Sequence, residues 1–480
     1  MFNDLREYIR QVKELGECRI IEGADWNVEI GKICELSISV ADPPLLLFDR
    51  IKGYPAGYRI ATNWLNSYRR ISLALGLPDN LNGLALVQAW RDKIRDGMKL
   101  IPPVEVNTGP VKENIHLGKE VDLWEFPTPQ WHERDGGRYI GTADVVIMKD
   151  PDNGWVNLGT YRAQIQDKST LSLNILPGRH GAYIAKKYWD KGMPCPVALV
   201  CGCDPVLYFA SASSIPRQIG EYDYAGGIRN KPIEVVRGAT VDLPIPATAE
   251  IVLEGEFLSP DIENRIEGPF GEWEGYYGSP AMPKPVVKVS AVLHRNEPIL
   301  GGAPPLMGNS DNSLYSTITL ASELWDQLDK EIPGVRGVWY AFRRNLMIII
   351  SLNQQYTGHA KQALSIAAGT YRGGPAAMNT RFIIVVDDDI DPSNINEVLW
   401  ALSTRCDPKT SIDIMGDRWT TRGDPMISPE DRARGNLICS TALIQACKPY
   451  YWIKDFPPAI KSSQEVLEKV RGRWGKALFG

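Results

Sequence analysis

The sequence has no excess of positive charge. Its 53 Lys and Arg are outnumbered by 58 Asp and Glu, for a formal net charge of −5. It therefore lacks the basic stripe by which nucleic-acid and anionic-membrane binders hold phosphate, and neither partner is expected. No apolar run approaches the roughly 18 residues that cross a bilayer. The stretch from Met1 to Glu7 shows no basic segment leading into an apolar one, so no secretory leader is expected. Cysteine is sparse: of eight, only Cys201 and Cys203 are neighbours, and no second pair sits at zinc-finger spacing. Small buried thiols in a reduced, cytoplasmic protein are the expectation. Histidine is scarcer still, at five. There is no internal repeat and no low-complexity tract.

What is present is the texture of an α+β protein of several domains. Leu5, Tyr8, Ile9, Val12 and Leu15 recur at helical spacing behind Asn3 or Asp4 as cap, and Gly16 can end that helix. A second helical pattern spans Val28 to Val40, and Leu45 to Phe48 reads as a short buried strand. Residues 1–105 thus form an N-terminal α/β layer, with Ile101-Pro-Pro103 near its boundary. From 106 to 310 short β-branched runs alternate with turn clusters, as in an antiparallel barrel or sandwich. Residues 311–334 read as a linking helix stopped by Pro333-Gly334. Strand and helix patterns then alternate through 335–448, an α/β layer, and the tail 449–480 carries a helix from Gln464 to Arg471.

The segment from Asp261 to Tyr276 is chemically the densest. Glu267 and Glu272 stand five residues apart, separated by Gly268-Pro-Phe-Gly271. Glycine and proline there exclude a regular helix or a central strand and allow a bend that turns both carboxylates toward one space. Paired carboxyls are a common device for proton transfer near neutral pH. A solvated surface turn is the competing reading. Against it stand Phe270, Trp273, Tyr276 and Tyr277, rings that gain most when buried.

The run Glu267-Gly-Pro-Phe-Gly-Glu272 followed by Gly275-Tyr276 resembles the signature of the UbiD-type decarboxylases, which use prenylated FMN. Asn157-Leu-Gly-Thr-Tyr-Arg162, Pro177-Gly-Arg-His180, and Ala210 to Pro216 with Gly220 to Gly226 resemble the family's metal and phosphate segments, in family order. The resemblance implies a split-β-barrel cofactor domain at 106–310 and a C-terminal oligomerisation domain at 335–448, giving a homodimer or homohexamer. It implies reversible decarboxylation of an aromatic or heteroaromatic acid, with release of CO2, through a covalent adduct with prenylated FMN supplied by a flavin prenyltransferase.

Residue by residue, the resemblance makes Glu272 the proton donor and Arg162 with Glu267 an orienting ion pair. Asn157, His180 and Glu221 offer an amide oxygen, an imidazole and a carboxylate, a set suited to Mn2+ or Mg2+ against the cofactor phosphate. Tyr161, Arg179, Ser211, Ser213, Ser214, Pro216 and, from the C-terminal domain, Arg381 complete the implied cofactor set; Arg179 stands where some members have glutamine. The resemblance also implies a K+ or Na+ site at backbone groups near Trp155, Ala210 and Ser211, with Glu221. Trp273, Leu306 and Met307 are expected to wall the substrate pocket, with Asn309 and Asn312 as hydrogen-bond partners. His116, His132, His294 and His359 read as structural. Two other classes remain from the residues alone: a flavin carrier without catalysis, and a two-carboxylate glycosidase using Glu267 and Glu272 with Trp273 as sugar platform.

Overall fold

The computed structural model describes residues 2–40, 42–213, 215–307, 311–341, 346–369, 380–460 and 462–479, with backbone alone at 311, 312 and 464. Ser214 and Asn309, and the side chain of Asn312, lie outside the described residues.

The first helix, Leu5–Glu14, is capped by the Asp4 side chain and buries Leu5, Tyr8, Ile9 and Val12. It covers a four-stranded sheet ordered Cys18–Glu22, Leu45–Asp49, Arg59–Thr62 and Ile299–Gly301. The fourth strand comes from residues that the sequence placed in the central domain. The parallel pairing of Ile299, Leu300 and Gly301 with Arg59, Ile60 and Ala61 therefore ties the two layers together. Helices Tyr68–Leu75 and Gly83–Arg95, not singled out from sequence, complete this layer.

The central sheet has ten strands, and every pairing in it is antiparallel. Its hub is the 13-residue strand Met282–His294, which pairs with Thr170–Leu173, Ile251–Phe257, Asn264–Glu267 and Asn114–Leu117. So the expected antiparallel barrel-type sheet is present, but it is not purely β. Helices His180–Trp189, Pro205–Ala212 and Glu221–Arg229 pack on it. The second starts as a proline-initiated helix should, with the Asp204 carboxylate accepting from Val206 N–H. Cys201 and Cys203 are both buried, and they serve the two separate apolar clusters of the molecule. Burial pushes both thiols well up.

Helix Asp311–Glu331 joins the layers. Arg91 from Gly83–Arg95 holds it through Asp326, at 2.6 Å, and Asp329, and lies over the Trp325 ring. Beyond it a five-stranded sheet runs Val335–Ala341, Met347–Leu352, Phe382–Asp387, Ile438–Ala446 and Ile412–Trp419. Its three inner strands are parallel and the two outer ones antiparallel to their neighbours. The tail helix extends to Phe479. Among the described residues no helix is long and apolar enough to cross a membrane.

Candidate active site

A cavity of about 310 Å³ lies where the central sheet, the linking helix and the C-terminal domain meet. Its wall includes Asn157, Tyr161, Arg162, Arg179, His180 and Glu221 from the central domain, and residues 421–423 from the C-terminal one.

The two signature glutamates reach Arg162 from opposite ends of a turn. Glu267 closes the edge strand Asn264–Glu267, and its side chain is 1% exposed. Arg162 Nε and Nη2 donate to Glu267 Oε1 and Oε2 at 2.8 and 3.1 Å, a bidentate pair. Arg162 Nη1 donates to Glu272 Oε1 at 2.8 Å. The Tyr139 hydroxyl donates a further bond to Glu267 Oε1 at 3.0 Å. Burial works to lower the Arg162 pKa, but the Glu272 and Glu267 charges outweigh it and the net shift is upward. Burial, and then Glu267, push the Tyr139 phenol upward.

The turn is built by close backbone approach. Gly268 has φ +89°, in the region that favours glycine. Gly268 N–H donates to Gln164 Oε1, and Gln164 Nε2 donates to Gly136 O, both at 3.0 Å. A Cβ on Gly136 would overlap the Gly268 carbonyl. Phe270 is buried; it packs 4.1 Å from the Tyr139 ring and 5.2 Å from the Arg162 guanidinium carbon. Glu272 N–H donates to Tyr276 O at 2.8 Å, closing the turn beyond Trp273. The segment is thus anchored from Glu267 to Glu272, while Tyr276 and Tyr277, rings expected to be buried, are exposed beyond it.

The cavity wall also holds the amide–imidazole–carboxylate set. His180 and Glu221 are the first residues of their helices, so both helix N-termini open on the cavity, an arrangement suited to anions. Burial pushes the Glu221 carboxyl up to about 8, although its Oε2 accepts from Leu158 N–H at 2.9 Å. Burial, with Arg217 and Arg179, lowers the His180 pKa, favouring the neutral ligand form. Asn157 is 1% exposed, and its Nδ2 has no hydrogen-bond partner. A buried carboxyl, a neutral imidazole and a buried amide, whose oxygen would be the ligand atom, on one cavity wall are a ligand set that fits a divalent cation.

The other expected residues divide. Tyr161, Arg179, Ser211, Ser213 and Trp273 line the cavity. Tyr161 OH accepts from Gly181 N–H at 3.2 Å, and Ser211 Oγ is 3.1 Å from Thr160 Oγ1. Trp155 packs edge-on against the His180 ring at 5.1 Å. Ala210 lies within Pro205–Ala212 with its carbonyl accepting from Ser213 N–H at 3.1 Å; neither it nor Pro216 lines the cavity. Arg381 is paired with Asp424 and does not line the cavity; the arginine that the C-terminal domain brings to the wall is Arg422. Met307 is 84% exposed and Leu306 is buried off the cavity, so neither forms its wall. Lys284, Arg422, Thr160 and Tyr139 were missed from sequence. Lys284 stands between Pro283 and Pro285, which mask its strand, and Arg422 carries no local signal.

The resemblances to known proteins agree with this geometry. Residues 103–306 match the 3-octaprenyl-4-hydroxybenzoate carboxy-lyase Rift-related domain, 9–90 the corresponding N-terminal domain and 315–446 the C-terminal domain. The chain is 31% identical to the pyrrole-2-carboxylic acid decarboxylase of Pseudomonas aeruginosa, over 99% of this chain and 98% of that one. It is 31% identical to a phenolic acid decarboxylase of Bacillus subtilis over 92% of each. The UbiD-class enzyme HmfF from Pelotomaculum thermopropionicum, in complex with FMN, superposes with a TM-score of 0.85 at 27% identity, over 98% of this chain and 99% of that one. An evolved dimeric form of HmfF in complex with prFMN gives 0.79 at 27% identity, over 97% and 98%. Matches running from residue 9 to 446, with relatives aligned over nearly their whole length, agree with the Glu267–Glu272 segment: the chain belongs to the UbiD family of carboxy-lyases.

Proposed function

We propose that this chain catalyses reversible, non-oxidative decarboxylation of an aromatic or heteroaromatic carboxylic acid with prenylated FMN as cofactor. The observation that carries the reading is one arginine bonded to two glutamates on the wall of a cavity that also holds Asn157, His180 and Glu221. Relatives that act on a pyrrole acid and on phenolic acids support the substrate class, as do Phe270 and Trp273 on the wall.

Asn157, His180 and Glu221 would hold Mn2+ or Mg2+. Arg179, Ser211, Ser213 and the two helix N-termini would take the cofactor phosphate, with K+ or Na+ near Ser211 and Glu221. When bound, prenylated FMN supplies the electron sink for the pair left by the breaking carbon–carboxylate bond. Glu272 is the proton donor: after CO2 leaves, its proton forms the new C–H bond, and the carboxylate is reprotonated from solvent. In the carboxylation direction Glu272 takes that proton away. Glu267 is fixed on both oxygens by Arg162 and Tyr139, and its role is to orient Arg162 and so Glu272. The same engagement argues against the glycosidase reading, since a carboxylate 1% exposed and bonded on both oxygens cannot reach a sugar carbon.

The assembly belongs to this proposal too. Leu399, Trp400, Ile414, Trp419 and Ile438 are exposed on the C-terminal domain, a surface suited to covering by a second copy. Buried thiols such as Cys201 and Cys203 suit a reducing, cytoplasmic setting.

The test is coexpression with a flavin prenyltransferase, anaerobic purification, a UV–visible spectrum, and mass spectrometry of the released cofactor. CO2 release is then followed from pyrrole-2-carboxylate and hydroxybenzoates. A mass of prenylated FMN with CO2 release is expected. Protein free of flavin despite Mn2+ and K+, or flavin-bound protein inert toward the whole panel, overturns the reading.

A further inference from the structure

Away from the cavity, His116, Glu125 and His294 bring three ligand atoms within 4.8 Å of one another. Two strands create the juxtaposition. Asn114–Leu117 runs antiparallel to the end of Met282–His294, with His116 opposite Val292 and Asn114 opposite His294. The two histidines are therefore diagonal neighbours on one face, with ring centroids 5.3 Å apart and planes at 85°. Glu125 comes from the 3-10 turn Leu123–Glu125. Its Oε2 lies 3.2 Å from His116 Nδ1, and its Oε1 3.7 Å from His294 Nε2.

The surrounding bonds define what each ligand offers. His294 Nδ1 is 2.8 Å from the Arg295 carbonyl, which can only accept, so Nδ1 carries the ring proton. Nε2 of the neutral ring is then a lone pair. It is buried, on a side chain 4% exposed, and has no hydrogen-bond partner. Facing it is Glu125 Oε1, another acceptor, which already receives the Tyr58 hydroxyl at 3.0 Å. Two acceptors face each other at 3.7 Å with no donor between them, an arrangement that a cation resolves. A histidine that gives its other N–H to a carbonyl, and a carboxylate steadied by a hydroxyl, are also the usual outer supports of metal ligands.

We propose that His116, Glu125 and His294 bind a divalent transition-metal ion of the zinc class, with a fourth position for water. Two imidazoles and one carboxylate suit such an ion better than Mg2+ or Ca2+. His116 and Glu125 are 32% and 24% exposed, which leaves an entry for the ion and its water. None of the three residues lines the cavity, so the site is separate from Asn157, His180 and Glu221 and does not rest on the proposed function. Bound metal would staple Asn114–Leu117 and the 3-10 turn to the hub strand of the central sheet.

The test uses full-length protein stripped by chelator and then saturated with Mn2+ to occupy the other candidate site. Co2+ is titrated while its visible d–d absorption is recorded, and bound Zn2+ per chain is measured after exchange. One equivalent with a tetrahedral Co2+ spectrum is expected. His116→Ala and Glu125→Gln should weaken Zn2+ at least about 100-fold, while Glu221→Gln leaves that equivalent in place. Anomalous scattering at the zinc edge from wild-type crystals provides a readout free of variant folding. A peak among the three residues supports the site. No peak, no Co2+ spectrum, or equal Zn2+ affinity in folded His116→Ala protein overturns it and leaves a plain histidine–carboxylate cluster.

Discussion

Arg162 meets Glu267 side-on, Nε to Oε1 at 2.8 Å and Nη2 to Oε2 at 3.1 Å, with the carboxylate 1% exposed. A carboxylate this buried is tolerated because it is paired. Arg162→Met should therefore cost about 3 kcal/mol of stability or more, most of it from the stranded charge. Adding Glu267→Gln should recover part of that loss, because the two changes are coupled. Urea unfolding of the two singles and the double checks this. Wild-type stability in Arg162→Met would mean the pair is not what holds Glu267 in place.

Glu272 contacts the same guanidinium through Nη1, but its side chain is 18% exposed, against 1% for Glu267. A glutamine there keeps an oxygen for Arg162 and loses the transferable proton. Glu272→Gln is expected to bind flavin as wild type does and to turn over about 10²- to 10⁴-fold more slowly. Steady-state CO2 release, normalised to bound flavin, reads this out. Full activity would remove Glu272 from its proposed role.

If Glu221 is a metal ligand as proposed, it should make metal binding sensitive to pH. Burial raises its carboxyl from the ordinary 4.5 to about 8 in the metal-free protein. The folded state then holds a proton that the unfolded state has lost, so metal-free stability should fall as pH rises from about 4.5 to about 8. Mn2+ entering the proposed site would displace that proton. Its apparent affinity should rise by up to about tenfold per pH unit below pH 8 and level off above. Calorimetry in buffers of different ionisation enthalpy would count the released proton. A pH-independent affinity, or an unchanged slope in Glu221→Gln, would contradict this.

Gly136 and Gly271 form a matched pair of tests. A Cβ on Gly136 overlaps the Gly268 carbonyl, backbone against backbone, so the turn between the glutamates must shift. A Cβ on Gly271 meets nothing nearer than His132 Cδ2 at 3.6 Å. Gly136→Ala should lower kcat/KM by about 100-fold through misplacement of Glu267 and Glu272. Gly271→Ala should change it little. Equal kinetics in the two variants would show that the turn's position does not matter.

What the sequence made legible was local. Glu267, Glu272 and the rings Phe270, Trp273, Tyr276 and Tyr277 lie in one short segment, and their spacing carried the argument. Arg162, Asn157, His180 and Glu221 came through resemblance, and all four line the cavity. The helix Glu221–Arg229 was not foreseen, because Gly226-Gly227 reads as a breaker. In the structure, Ile101 O and Lys99 O approach these two positions too closely for a side chain. The pairing of Arg381 was hidden for a related reason: its partner Asp424 lies 43 residues on and cannot be inferred from a strand-leading arginine. Lys284 sits between Pro283 and Pro285 and reads as a turn, yet it lies in a strand paired with Asn264–Glu267.

That lysine supports the last prediction. Arg162 commits Nε, Nη1 and Nη2 to the two glutamates, so its bonding capacity for a substrate carboxylate is largely used. Lys284 lines the same cavity, where burial lowers its pKa and Glu267 partly offsets that fall. Arg422 brings a second positive charge from the C-terminal domain. An anionic substrate entering beside Glu272 needs such a counter-charge before its carboxylate can sit near the glutamates. Lys284→Met should raise KM by about tenfold with kcat little changed, the signature of lost binding equal in ground and transition states. Lys284→Arg should recover part of it. If Lys284→Met instead leaves KM alone and lowers kcat, Lys284 acts on the Glu272 proton and not on the substrate. Unchanged kcat and KM would leave it outside the reaction altogether.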